Sequence, residues 1–441
     1  MAFRWNTNFT FFDPIKTMLA SHSKAGYFLM LARFIERAMY YGVRAIIVIF
    51  AMSAYNVSRA EALSWYGFFT GLVYLSQFLG GILTDLLLKS KISILAGGIL
   101  QIIGVLLFII PDYEVYKAAG ILFSIGSGLY SVNIASIFGR LYTGKSECLA
   151  SGYTLFYMLI NAGAFLGVLL LPMLALKWSH SIAFSIIAGL LTISTLFSFF
   201  FTNSKIPEVK RVLSAPKGKG VLLIILSIIA TSVFWTSFEI VGGFITVKSM
   251  EVNEAFNGAV DPYFTLDVNS YTVMITGVLL FLIWSYSYIS NILKIGIAMA
   301  LAGIAHYTML IQLESLDSLY QLLLFHTIIL AIAEMLIIPA TLSIFASYSH
   351  PKYLTLIYGS AVFAGALLLR LQSDYSWELI DYPEKITFKE KITFKITAYT
   401  LLGVGAVFLL LNQFLKDKSP YELIRETTEK EPDLKEGDLL D

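Results

Sequence analysis

Charge is what this 441-residue chain has least of: Asp, Glu, Lys and Arg make up 14%, against about 25% in soluble globular domains. Cysteine is nearly absent. Cys148 stands alone, which excludes an intramolecular disulfide and a cysteine metal cluster. Strict alternation of apolar and polar residues is missing, which excludes a β-barrel porin. The formal net charge of +1 offers no excess of either sign to an acidic or nucleic-acid partner. The start of the chain lacks the basic, apolar, small-residue order of a cleaved signal, so insertion is expected to begin with the first spanning helix. There is no H-E-x-x-H, no G-x-S-x-G and no paired intramembrane aspartate. A membrane-embedded enzyme is therefore not expected.

What is present is apolar length. Hydrophobic residues make up 57% of the chain and mean hydropathy is +0.74, more apolar surface than a water-soluble globule can bury. A spanning helix needs about 20 apolar residues, and twelve such segments fit the chain: 24–52, 62–88, 92–111, 115–140, 149–173, 178–202, 218–248, 270–289, 293–312, 317–348, 352–373 and 396–415. The expected fold is an all-α polytopic membrane protein with twelve transmembrane helices. The basic stretch 203–219 divides it into two six-helix bundles, 24–202 and 220–415. Residues 1–23 and the acid-rich tail 416–441 are expected at the cytoplasmic face. With both ends inside, cytoplasmic segments hold about 19 Lys and Arg and the opposite side about 8, the sense of the positive-inside rule. A tandem hexapeptide, 384–389 and 390–395, reads as a duplicated outer loop.

Ionisable groups inside spans are costly and mark function by default. Arg33, Arg37, Tyr40 and Arg44 are spaced 4, 3 and 4 apart and share an arc of about 60° on the first helix, with Glu36 beside them. Such a face cannot meet lipid. It must line a wet cavity or meet carboxylates, and Glu239 and Glu334 are the deep acids available elsewhere. His306 and His326 also fall in spans, and neither is assigned a role.

The residues then show a likeness. Glu36-Arg37-Ala38-Met39-Tyr40-Tyr41-Gly42-Val43-Arg44 resembles the first-helix signature of the proton-dependent oligopeptide transporter (POT) family, E-x-x-E-R-F-x-Y-Y-G, within the major facilitator superfamily. Tyr66 to Tyr74, running on to Gly80-Gly81 and Asp85, is similar to its second helix and gating motif. Phe156-Tyr157, Asn161 and Gly163 are similar to its fifth-helix signature. Phe234-Trp235 with Glu239, and Glu334 with Pro339, resemble its seventh and tenth helices.

The resemblance implies the major facilitator fold, two pseudo-symmetric six-helix bundles about a central cavity, and uptake of small peptides by alternating access. No cofactor is implied, since the proton gradient would drive transport. By position it implies a substrate pocket of Tyr40, Arg44, Tyr74, Asn161, Trp235, Glu239 and Glu334. It implies a coupling network of Arg33, Glu36, Arg37 and Glu239, and a gate at Gly81 and Asp85. Substrate, protons and the lipid bilayer are the expected partners, in a bacterial inner membrane. Two positions depart from the pattern. Arg33 replaces the first Glu of E-x-x-E-R, and Ser131 replaces the fourth-helix Lys. The cavity is thereby one unit more positive, and Arg33 is expected to take over the lysine's role by pairing with Glu239. The departures keep a second reading open: a carrier of a non-peptide metabolite or siderophore, in or out, with altered or lost proton coupling. A non-transporting sensor on the same fold is a third.

Overall fold

The structure is a computed structural model that describes residues 22–142, 146–201, 217–258, 264–287, 289–311, 316–377 and 383–415. These form twelve α-helices: α1 Lys24–Tyr55, α2 Arg59–Leu86, α3 Ser90–Leu107, α4 Tyr113–Arg140, α5 Ser146–Lys177, α6 His180–Phe201, α7 Lys217–Ala255, α8 Phe264–Tyr286, α9 Asn291–Thr308, α10 Leu316–Tyr348, α11 Leu354–Trp377 and α12 Pro383–Leu415. Ten are long and apolar enough to cross a membrane. The others are α8, whose apolar part is Val268–Trp284, and α9, which carries Lys294 and His306 within 18 residues.

Local chemistry sets the first boundaries. Ser23 caps α1 by accepting from the Gly26 N–H. Asn56, at φ 53°, ends it in the left-handed region that a short polar side chain tolerates. Ser58 then caps α2 by accepting from the Glu61 N–H, with the acid in the first turn, so three residues turn the chain. Two expectations shift. α7 runs on to Ala255, and α12 begins at Pro383, so the repeated hexapeptide lies in a helix and not in a loop. Proline suits a first helical position because its missing N–H is unused there. Most of the expected linker 203–219, together with the end segments 1–21 and 416–441, lies outside the described residues.

Helices pack by sequence half. In the first, α1 lies on α5 and α6, α3 on α4 and α6, and α2 on α4. In the second, α9 lies on α10 and α12, α10 on α7 and α8, and α11 on α7. Small residues permit close approach: a Cβ on Gly167 of α5 would sit 2.0 Å from the Ala38 carbonyl oxygen of α1. Between halves, α2 meets α11, and α5 meets α8 and α10. Each half has its own apolar core. A third core joins them near the α2–α3 turn, with Leu29, Tyr130 and Phe138 packed with Phe345, Leu354 and Tyr358.

That end of the molecule is shut. Asp85 Oδ2 accepts from the Leu356 N–H in the first turn of α11 at 2.7 Å, and Asp85 Oδ1 accepts from Arg140 at 3.1 Å. Arg140 also donates to Thr355 at 2.9 Å and to Ser90 at 2.6 Å. Tyr153 and Tyr358 share a hydroxyl hydrogen bond across the halves. Phe78 stacks on Phe363 at 4.9 Å.

His22 lies just ahead of α1 at this same end, 4% exposed. Its Nδ1 is 2.7 Å from the Tyr142 hydroxyl, and the rings of Tyr27 and, from the other half, Phe281 face it. Burial pushes its imidazole down to about 4. The unfolded chain takes up this proton near 6.5 and the fold only near 4, so the contribution is whole above about pH 6.5 and is lost as pH falls toward 4. Melting temperatures from pH 7 to 4 should fall more steeply for the native chain than for His22→Gln. Parallel curves would remove His22 as the cause.

Candidate functional site

The polar stripe of α1 breaks into two groups. Deep in the first half, Glu36 is wholly buried and accepts from both neighbouring arginines: from Arg33 Nη1 at 2.7 Å, and from Arg37 Nε and Nη2 at 2.8 and 2.6 Å. Helix α4 completes the cluster. Ser131 accepts from Arg33 at 2.7 Å and from Arg37 at 3.0 Å, and Ser127 accepts from Arg37 at 2.9 Å. The expected Arg33–Glu239 pair is therefore not formed. Arg33 reaches into the room beside the short Ser131 and turns to its own helix's carboxylate three residues on. Its cation does stand at the Ser131 position, but against Glu36.

Two turns along α1 from Arg37, Arg44 is half-buried. Its Nε and Nη2 both donate to the Tyr66 hydroxyl, at 2.9 and 2.6 Å. The rings of Tyr40, Tyr41 and Tyr66 surround it at 5.7, 5.4 and 5.3 Å, a range in which aromatic faces attract a cation. No carboxylate pairs with Arg44 among the described residues. Tyr74 is half-buried, within electrostatic reach of Tyr40, Arg44 and Glu239.

Tyr40 was expected to line the pocket, but it is 3% exposed. It forms a triangle of near-parallel rings with Phe69 and Phe123, and the Arg37 Cζ is 4.2 Å from its ring centre. The half-buried rings beside Arg44 are Tyr41 and Tyr66, which sequence reasoning did not single out, although both lie in the quoted signature stretches. Asn161 is half-buried, and its amide donates to the Tyr157 carbonyl one turn back.

The acids stand on the second half. Glu334 on α10 is 3% exposed and accepts the Tyr157 hydroxyl of α5 at 2.6 Å, with Asn269 of α8 as a second donor. Glu239 on α7 is exposed, and Arg44 is the cation that acts on it. Trp235, one turn before Glu239, is half-buried against Phe234 and Phe238 at 5.8 and 5.3 Å. Tyr157 was missed as a partner, because only the fold brings α5 and α10 together. Gly81 and Asp85 lie at the shut end, where a Cβ on Gly81 would come 2.8 Å from Leu356 Cα and from the Thr355 oxygen. His306 and His326, unassigned from sequence, are a buried stacked pair, with Nδ1 and Nε2 3.1 Å apart. No group of three metal-ligating side chains occurs among the described residues.

The site thus sets a guanidinium in a tyrosine surround on one half against two carboxylates on the other. Such a pairing of opposite charges suits a solute with an anionic end and a cationic end.

Residues 91–216 match the family model of the POT family. A dipeptide and tripeptide permease B of Photorhabdus luminescens is 30% identical over 194 residues, which is 43% of this chain and 40% of that protein. The chain thus matches less than half the length of this relative. A crystal structure of a peptide transporter POT in complex with sulfate superimposes with TM-score 0.63 at 19% identity, covering 91% of this chain and 98% of that one. The human organic anion transporter MFSD10 superimposes with TM-score 0.67 at 12% identity, over 88% of this chain and 100% of that one. The fold is that of the major facilitator transporters, and residues 91–216 carry the likeness to the POT family.

Proposed function

We propose that this chain is a secondary active transporter of small peptides or peptide-like solutes, working by alternating access and driven by protons. One arrangement carries the reading: Arg44 of the first half, ringed by tyrosines and forming no ion pair among the described residues, stands within electrostatic reach of Glu239 of the second half, which in turn acts on Glu334. A solute carboxylate would take the free edge of Arg44, since a guanidinium binds carboxylates through paired donors. A solute ammonium would take Glu239 or Glu334. Tyr74 and Trp235 would form adaptable walls.

Transporters of this architecture hold their site near the midplane between two rocking bundles. In the present state the Asp85 end is closed. With both termini cytoplasmic, as the basic loops direct, the cleft would open to the outside of a bacterial inner membrane. Proton coupling would run through the second half. Glu36 is committed to two arginines, whereas Glu334 has only neutral donors, so its proton occupancy can change with the solute. The test is Glu334→Gln in proteoliposomes. It should abolish accumulation driven by a pH gradient, by at least about tenfold, while solute exchange at equal pH continues. Undiminished gradient-driven uptake would move coupling elsewhere.

The second reading, a carrier of a more anionic non-peptide solute, is favoured by one feature, the arginine at position 33. Competition of labelled dipeptide uptake by unlabelled metabolites separates the two.

A further inference from the structure

Charge in the interior of the first half does not balance. Arg33, Glu36 and Arg37 are buried together, with one carboxylate for two guanidinium groups. Ser127 and Ser131 accept hydrogen bonds but bring no charge. A net positive charge thus remains in a low-dielectric interior, where an uncompensated ion is costly. The cost has a location. Arg33 Nε is buried and has no hydrogen-bond partner, although an arginine normally uses its whole planar fork. Arg37 spends its Nε and one terminal nitrogen on Glu36 and the serines. Tyr41, half-buried on the same helix, lies within electrostatic reach of both arginines and adds a hydroxyl that can donate.

We infer that the Arg33 edge of this cluster, beside Tyr41, is a binding site for a compact monoanion. The ion is either a free halide or a side-chain carboxylate of the solute in the cleft. Either would neutralise the excess charge and satisfy Arg33 Nε. Only the second source rests on the transport reading.

Purified full-length protein would be melted in sodium gluconate with chloride replacing gluconate stepwise at fixed ionic strength. A saturable rise in melting temperature is expected, because an anion bound by the fold stabilises it. Arg33→Gln should weaken that response at least about tenfold, the loss of a charge-assisted contact. In chloride-free buffer Ala-Asp should bind at least about tenfold more tightly than Ala-Asn, with Arg33→Gln erasing the difference. Chloride stabilisation assigns the halide; peptide discrimination assigns the solute carboxylate; both together mean competition for one site. Neither response, or either one undiminished in folded Arg33→Gln, overturns the site. Where the Gln variant does not fold, Arg33→Lys serves. It keeps the charge but lacks Nε, and should weaken either response several-fold; no change overturns the site. Chloride stabilisation involves no peptide, so failure of Ala-Ala to bind would count against the transport reading alone.

Discussion

Glu36→Gln should be among the most destabilising single substitutions in the first half of the chain. The carboxylate accepts three hydrogen bonds from two buried guanidinium groups, and its removal leaves both cations uncompensated. Breaking a buried ion pair by removing one partner costs about 3–5 kcal/mol, and here one partner serves two. The expected result is a sharply lowered melting temperature and a reduced folded yield in detergent. The double variant Glu36→Gln with Arg33→Gln should recover part of the loss, since only one unpaired cation then remains. A Glu36→Gln protein that melts with the native chain would show that water, and not the carboxylate, compensates the arginines.

The second large effect concerns motion. At Gly81 an added Cβ would lie 2.8 Å from Leu356 Cα and from the Thr355 oxygen, both backbone atoms that cannot rotate away. Gly81→Val should therefore hold α2 and α11 apart and disfavour the shut state. Overpacking costs of about 1–3 kcal/mol correspond to roughly 5- to 150-fold in its population. Uptake should fall accordingly. Ser136 of α4 is buried at the shut end, its hydroxyl 2.9 Å from that of Thr355; in a Cys148→Ser background, Ser136→Cys should become reactive to a water-soluble maleimide when Gly81→Val is added. Gly71→Ala, on the same helix with nothing within 4 Å of its Cβ position, should leave both readings unchanged. Normal uptake by Gly81→Val would mean that the contact is not part of the cycle.

The parts of this site legible in the sequence are those fixed by one helix. The 4, 3, 4 spacing places three arginines on one face of α1 whatever the fold, and burial of that face follows from its surroundings. The acids at 239 and 334 announce themselves by their cost in an apolar span. What the sequence does not disclose are choices between competing partners. Arg33 could reach Glu239 or Glu36, and the decision rests on the space beside Ser131, a property of where α4 lies. Tyr40 reads as a cavity wall, yet the flat faces of Phe69 and Phe123 claim it. The His306–His326 pair joins residues 20 apart on different helices, so neither position is informative alone. Six repeated residues with three charged groups read as a solvated loop in sequence, whereas Pro383 supplies a helix start and α12 runs through them.

The contact between Asp85 and the first turn of α11 has a consequence for the solvent. While the end is shut, the carboxylate satisfies a main-chain amide that would otherwise be open. Parting the halves strands both groups, and only incoming water can replace the bond. Each turnover therefore exchanges a volume of water as well as a solute. Osmotic stress from an excluded sugar should slow the opening of this end more than its closing.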